Sequence, residues 1–114
     1  MSSKKLCYAC DLVDNQELIK LYKYYHKKEN AWPEITKSIK DSGVIDMEIY
    51  LFANRLFMIM EVDESYTPER KQMMDAANPK VQEWEKLMWK FQQALPGAKE
   101  GEKWLPMEQI YKLE

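Results

Sequence analysis

The spacing of apolar residues in the first quarter of the chain predicts a strand followed by a helix. Residues 5–13 alternate between apolar and polar positions, as in a strand with one half-buried face. Asp14, followed three residues later by Glu17, resembles a capping box and predicts the start of a helix that ends near Lys28. The residues of the expected buried stripe recur at helical spacing: Leu18, Leu21, Tyr22 and Tyr25.

The middle of the chain predicts a second helix and then two strands. Pro33 is favourable at a first helical position, and this short helical piece should end before Gly43. Residues 44–51 and 56–62 then alternate as two strands joined by a short turn. In the first of these strands the apolar residues share one face: Ile45, Met47, Ile49 and Leu51. In the second strand both faces are apolar, because Phe57 and Ile59 lie opposite the main stripe, so both sides of the sheet should be covered.

The last third of the chain predicts two helices and a final strand. A short helix begins at Pro68, and a longer one begins at Pro79, with an apolar stripe that extends to Leu95 before a Pro-Gly pair stops it. Residues 98–103 form a charged loop. Residues 107–113 alternate again and predict the last strand.

The predicted order of elements is βαββαβ, which defines an α+β fold. This split βαβ arrangement forms a four-stranded antiparallel sheet with helices on one face. No repeat, low-complexity tract or linker interrupts the sequence, so we expect a single domain over residues 1–114. The second apolar face of the sheet needs a cover, and a second copy of the chain would provide one, which predicts a homodimer.

Composition and charge narrow the possible partners. With 46% apolar residues and a formal net charge of −2, the chain has enough apolar surface for one core and lacks the basic stripe that a nucleic-acid-binding protein normally shows. The longest apolar run covers residues 56–60, far short of the roughly 20 residues that cross a bilayer. The N-terminal residues lack a signal-peptide core. We therefore expect a cytoplasmic protein that binds neither nucleic acid nor membranes.

Cys7 and Cys10 form a C-x-x-C motif, but within a predicted strand. Residues three apart on a strand point to opposite faces, so the two sulfurs could neither form a comfortable disulfide nor bind one metal ion together. We interpret both as structural residues, since free cysteine packs like a small apolar side chain.

His26 is the single histidine and lies four residues after Tyr22, so the two side chains should share one face of the first helix. Histidine exchanges a proton near neutral pH, and a phenol orients a hydroxyl group. The spacing fits a catalytic site that acts on a small molecule. A lone histidine near the end of a helix is, however, more often a surface residue that interacts with the C-terminal end of that helix.

Two of the tryptophans are further candidates for a ligand-binding site. Trp84 lies in the apolar stripe of the last helix, where an indole could stack on a sugar ring or simply fill the core. Trp32, beside the proline of the second helix, has the same two interpretations, whereas Trp89 and Trp104 carry no spacing signal. The sequence contains no Gly-rich phosphate loop, H-E-x-x-H motif or nucleophile elbow.

Several segments together resemble the L-rhamnose mutarotase family. The most specific are the tyrosine four residues before His26, the Trp-Pro-Glu motif that begins six residues after it, and the final M-E-x-I-Y segment. The string Glu48-Ile49-Tyr50-Leu51 also matches, and the resemblance covers nearly the whole chain.

The resemblance implies a ferredoxin-like dimeric α+β barrel with a monosaccharide pocket in each subunit. It implies that His26 is the proton donor and that Tyr22 contacts the sugar. The family has a tyrosine early in the second strand and a Trp-Trp pair on the last helix, whereas this chain has Met47 and Trp84-Glu85 there. We expect Tyr22, Met47, Trp84 and Glu85 to bind the substrate, with Glu85 as a hydroxyl acceptor or second base. Because these changes alter the hydroxyl partners, the sugar could be L-rhamnose or L-fucose.

The expected reaction is mutarotation, an isomerisation in which acid and base groups open and close a pyranose ring. Two proton-transfer groups suffice, so we expect no metal ion and no cofactor. Two alternatives stay open at this point. A monooxygenase or haem-degrading protein could use the same fold. A non-catalytic sugar-binding or regulatory dimer would fit the altered pocket.

Overall fold

A computed structural model of the chain describes residues 3–99 and 102–113. In chain order it contains β1 (Ser3–Leu12), α1 (Gln16–Tyr25), α2 (Pro33–Asp41), β2 (Val44–Phe52), β3 (Arg55–Asp63), α3 (Pro68–Ala76), α4 (Pro79–Met88), β4 (Gln92–Gln93) and β5 (Leu105–Pro106). A short 3₁₀ turn, Lys28–Asn30, lies between α1 and α2. Within the described ranges, no helix has the length and apolar character needed to cross a bilayer.

The strands form an antiparallel sheet in the order β2-β3-β1-β4, and β5 pairs with the same edge of β1 as β4. This order is that of the split βαβ fold, which confirms the predicted α+β class. Gln92 and Gln93 supply the fourth strand by pairing with Leu12 and Asp11. These two residues were predicted to lie in a helix. The type of fold was therefore predicted correctly, but the position of its fourth strand was not.

The start of each helix follows from a capping group or a proline. Asn15 caps α1 with its side-chain oxygen, which accepts from the N–H of Leu18 at 3.1 Å, so the cap is not Asp14 as predicted. Thr67 and Asn78 cap α3 and α4 in the same way, each followed by a proline. These two starts confirm the predictions made from the sequence.

Helix α4 is shorter than its apolar stripe predicted, because it ends at Met88 and not near Leu95. The free edge of β1 accounts for the difference. The Val13 N–H donates to the Phe91 carbonyl at 2.8 Å. Gln92 and Gln93, the next two residues, then pair with β1. Phe91 is buried in either arrangement, so the periodicity alone could not indicate where the helix stops.

The predicted final strand at residues 107–113 is wrong for this chain. Strand pairing is limited to Leu105–Pro106, followed by one hydrogen bond from the Met107 N–H to the Cys7 carbonyl. Within the described residues, the edge of β1 away from β3 forms ladder pairs only at positions 8–9 and 11–12, so the chain leaves this edge after Met107 without pairing with positions 3–6. Its apolar side chains stay exposed: Ile110, Tyr111 and Leu113. Glu100 and Gly101, part of the predicted charged loop, lie outside the described residues.

The two faces of the sheet differ in their cover. On the helix side, one core cluster surrounds Leu12 and Leu56 and a second surrounds Val62. A bulge at the start of β2 turns Ile45 outward, so Val44 takes the core position that the alternation assigned to Ile45. Cys10 is buried on this face and Cys7 is half-buried on the other, both as free thiols.

None of the helices in the described part of the chain covers the opposite face of the sheet. Across it the register aligns Ala9, Phe57 and Tyr50 in one row and Cys7, Ile59 and Glu48 in the next. Tyr50 and Phe52 are largely exposed there. This face is therefore apolar in its centre and open at its β2 edge.

Candidate active site

A cavity of about 650 Å³ lies between the helix side of the sheet and the four helices. This volume is within the range of pockets that bind small molecules. All five residues predicted as site residues line it: Tyr22, His26, Met47, Trp84 and Glu85. The structure thus brings together side chains that are as far apart in sequence as α1 and α4.

His26 is the C-terminal cap of α1, and it lines the cavity although the residue as a whole is exposed. Its Nδ1 lies 2.8 Å from the backbone carbonyl of Tyr22, one of the carbonyls that the end of the helix leaves without a helical partner. A carbonyl oxygen only accepts, so Nδ1 carries the hydrogen. In neutral imidazole the lone pair is then on Nε2.

The surroundings of His26 favour the neutral ring. The Tyr22 ring stacks on it at a centroid distance of 4.2 Å, and Trp84 meets it edge-on at 5.6 Å. Burial against these groups lowers the pKa of His26 below its ordinary 6.5, and the hydrogen bond to the Tyr22 carbonyl opposes this only in part. His26 therefore has the protonation state of a base at neutral pH. His26 binds a carbonyl at the end of the helix and also lines the cavity.

Tyr22 is buried beside His26, and its hydroxyl is fixed by a neighbour that the sequence did not indicate. The side-chain amide of Gln92 donates to the Tyr22 Oη at 3.3 Å. The phenol hydrogen is then free to point to another acceptor. Burial raises the pKa of Tyr22 far above its ordinary value, so the group stays a phenol.

Gln92 has a second feature of note. Its Oε1 is buried and has no hydrogen-bond partner within residues 3–99 and 102–113. A buried amide oxygen without a partner is unfavourable by about 1–3 kcal/mol. Such an atom beside a cavity could be satisfied by a polar ligand.

An aromatic wall closes this end of the cavity. Trp84 packs edge-on against Trp32 at 5.1 Å and against Tyr25 at 6.4 Å. Trp32 is also the residue before Pro33 at the start of α2, so it both positions that helix and lines the cavity. Indole and phenol faces of this kind suit the apolar face of a sugar ring.

Met47 and Glu85 differ in what surrounds them. Met47 lies on β2 and packs in the second core cluster, so it offers an apolar contact. Glu85 lies on α4 near Lys103. Burial lowers the pKa of the Lys103 amine, and the charge of Glu85 opposes this effect only in part. Lys103 and Trp104 also line the cavity, although their sequence positions gave no signal. The loop that carries them has no periodicity from which burial could be inferred.

Comparison with known proteins places these features in a family. A Formosa agariphila L-rhamnose mutarotase has a similar structure, with a TM-score of 0.70 and 24% identity over 97% of this chain and 99% of that chain. A tetracenomycin F2 cyclase of Streptomyces glaucescens also has a similar fold, with a TM-score of 0.59 and 13% identity over 97% of each chain. The fold and cavity thus define a small α+β protein of the ferredoxin-like class, in which the site and not the fold decides the chemistry.

Sequence comparison is more specific. The model of the L-rhamnose mutarotase family matches residues 5–113, and the chain belongs to that family. A relative from Xanthomonas campestris pv. campestris, named an L-fucose mutarotase, is 43% identical over 113 residues, which are 99% of this chain and 90% of the relative. A second relative, from Dictyostelium discoideum, is 38% identical over 115 residues, covering 97% of this chain and 90% of its own.

Proposed function

We propose that this protein interconverts the α and β anomers of L-fucose, with His26 as the group that moves the proton. Membership of the family makes the chain a sugar mutarotase, which is an isomerase. The preference for L-fucose over L-rhamnose is supported by the 43% identity to a relative named an L-fucose mutarotase. The observation that carries the mechanism is the hydrogen bond between His26 Nδ1 and the Tyr22 carbonyl, because a hydrogen on Nδ1 leaves Nε2 as the basic nitrogen of a residue that lines the cavity.

Ring opening can be written with this one nitrogen. Nε2 takes the proton of the anomeric hydroxyl O1, the C1=O1 bond forms, and the C1–O5 bond breaks. The ring oxygen O5 then receives the same proton from the imidazolium, because O1 and O5 were bonded to one carbon and lie within reach of one side chain. Rotation about C1–C2 presents the other face of the carbonyl, and the steps reverse to give the other anomer.

The neighbours of His26 have supporting roles in this proposal. Tyr22 donates its phenol hydrogen to the reacting oxygens, since its own oxygen accepts from Gln92. Trp84 and Met47 contact the apolar parts of the ring, and Glu85 accepts from a hydroxyl group. Positioned acid–base groups contribute about 10²- to 10⁴-fold in rate. That is enough for a reaction that already proceeds unaided in water.

The test is saturation-transfer NMR between the two anomeric protons, with L-fucose and L-rhamnose measured in parallel. The His26→Ala variant should exchange L-fucose at the buffer rate, while circular dichroism stays that of the wild type. Lys27→Ala, which changes an exposed neighbour at the end of the same helix, is the matched control and should keep full activity. Undiminished exchange by His26→Ala would remove this residue from the mechanism.

A homodimer is the second part of the proposal. The open face of the sheet presents Phe57 and Ile59, and the terminal segment exposes Ile110, Tyr111 and Leu113. A second copy of the chain would bury the sheet face and the terminal segment, because a symmetric dimer brings the same surfaces of the two subunits together. A cytoplasmic location agrees with the two free thiols, since thiols stay reduced there.

Analytical ultracentrifugation tests the dimer. The wild type should sediment as a dimer, and Ile59→Lys should sediment as a monomer because it puts a charge in the centre of the buried face. Glu48→Lys, at the neighbouring position in the same row, should have a smaller effect. A wild type that is monomeric at all accessible concentrations would contradict this part of the proposal.

A further inference from the structure

The cavity has a second group of polar side chains that the proposed chemistry does not use. Four residues from three parts of the fold line the cavity here. Tyr8 lies on β1, Tyr66 follows β3, and α3 supplies Lys71 and Asp75. Lys71 Nζ lies 2.6 Å from Asp75 Oδ2, with only 22% and 16% of the two side chains exposed. We name these four residues the distal cluster.

The spacing of residues on β1 places the distal cluster away from His26. Cys10 packs with Tyr22 in one core cluster, whereas Tyr8 packs against Tyr66 in the other. Tyr8 and Cys10 are two residues apart on the same face of a strand, which separates them by about 7 Å. Tyr22, which stacks on His26, and Tyr66 therefore pack in different parts of one cavity, and one step along the strand face is comparable with the distance across a pyranose ring.

The distal cluster can both donate and accept hydrogen bonds. Tyr66 is 7% exposed, and burial, then the neighbouring Tyr8 and Asp75, raises its pKa to about 12. It therefore stays a hydrogen-bond donor at neutral pH. Asp75 supplies carboxylate oxygens, and its charge is balanced by Lys71. Met58 and Met60 from β3 add apolar side chains to the lining of the cavity.

A few polar groups in an apolar wall fix the orientation of a ligand and determine which ligand is accepted. In a pyranose with its anomeric carbon at His26, the carbon across the ring is C4. We infer that Tyr66, together with Tyr8 and Asp75, binds the C4 hydroxyl of the sugar and so determines which deoxyhexose reacts. This inference depends on the proposed function for the placement of C1 at His26.

The experiment compares L-fucose with its 4-deoxy analogue. A site that hydrogen-bonds a hydroxyl discriminates strongly against a ligand that lacks it, because its own polar groups then stay unpaired. For the wild type, kcat/KM for anomer exchange should be at least about a hundredfold higher with L-fucose. In Tyr66→Phe this ratio should shrink at least about tenfold, through a loss on L-fucose alone. Tyr8→Phe is the second variant, and Tyr24→Phe, an exposed tyrosine of α1, is the matched control.

A structural role for Tyr66 predicts a different result. If Tyr66→Phe and Tyr8→Phe lower exchange of both sugars by the same factor, or leave the ratio unchanged, the inference is wrong. Calorimetric Kd values for the two sugars give the same comparison without chemistry. A wild type that binds L-fucose better than the analogue, but does not exchange it, would contradict the proposed function while supporting the distal cluster. Equal Kd values in the wild type would overturn the inference by themselves.

Discussion

The two ends of the cavity differ in the kind of chemistry that they can perform. The His26 end combines aromatic rings with a group whose ordinary pKa is close to neutral. The distal cluster consists of two phenols and an ion pair, and Tyr66 stays protonated up to high pH. A proton can be exchanged at the first end, whereas the second can only hold hydroxyl groups. With the roles proposed for the two ends, we expect that reaction and recognition can be changed separately in this protein.

The first prediction separates the two ends by pH and has the largest effect. The pKa of His26 is lowered, so the basic form persists below pH 6.5 and is lost only as the pH falls through the lowered value. Exchange of L-fucose should be flat through neutral pH and then fall about tenfold per pH unit, to about a hundredfold at two units below the midpoint. NMR exchange from about pH 4.5 to about pH 8 measures this profile.

Free sugars also mutarotate faster in acid, so the His26→Ala variant supplies the background at each pH. Tyr66→Phe should keep the midpoint of the wild type, since the raised pKa of Tyr66 lies far above this range. A midpoint at or above the ordinary value of histidine would contradict the assigned environment of His26.

The second prediction concerns the support of the distal cluster. Gly43 has a φ of +104°, and a Cβ there would lie 2.7 Å from Ser65 Oγ and 3.0 Å from the backbone nitrogen of Tyr66. Gly43→Ala should therefore lower the free energy of unfolding by about 2 kcal/mol, through backbone strain and overlap. It should also raise KM for L-fucose by moving Tyr66, while the pH midpoint of His26 stays unchanged.

Urea unfolding and exchange kinetics measure these two effects, and Gly97→Ala is the control. Gly97 has a φ of +88° but open space around the position of a Cβ, so its substitution introduces the strain without the overlap. It should lower stability by less, about 1 kcal/mol, and leave KM unchanged. Equal losses for both variants would show that contacts at Gly43 do not matter.

The third prediction removes the phenol at the reacting end. Tyr22→Phe keeps the ring that stacks on His26 but loses the hydroxyl that we propose donates to the reacting oxygens. We expect kcat to fall about tenfold, with a stability loss of about 1 kcal/mol because the Gln92 amide loses its partner. Tyr24→Phe serves as the control. An unchanged kcat would exclude Tyr22 from the reaction and leave it a role in packing.

Much of the fold could be predicted from the sequence, because alternation and caps are local signals. Three strands alternate as packing requires, and Thr67 and Asn78 mark the starts of two helices. The end of α4 could not be predicted, because Phe91 is buried both in a helix and in the observed turn into β4. The edge of β1 decides between them, and it is distant in sequence.

The site could be predicted only in part, for a similar reason. The four-residue spacing of Tyr22 and His26 is a local signal, and both line the cavity. Tyr8 and Tyr66 give no such signal. A sequence pattern predicts that a side chain points inward, but it does not show whether the side chain packs in the core or lines a cavity. Gln92 is missed because its burial depends on the pairing of β4 with β1.

The last prediction has the smallest effect and concerns Gln92. Gln92→Met keeps the length of the side chain but removes a buried amide oxygen for which the described residues offer no partner. The free energy of unfolding should change by less than about 1 kcal/mol, because removal of the unpaired acceptor is favourable and loss of the hydrogen bond to Tyr22 opposes it. Exchange should nevertheless fall about threefold, since the Tyr22 hydroxyl is no longer fixed. Gln93→Met, at the exposed neighbouring position of β4, is the control.

In the Tyr22→Phe background Gln92→Met should leave exchange unchanged, because its whole effect on the reaction passes through the phenol. A further loss in that background would mean that Gln92 contacts the sugar itself.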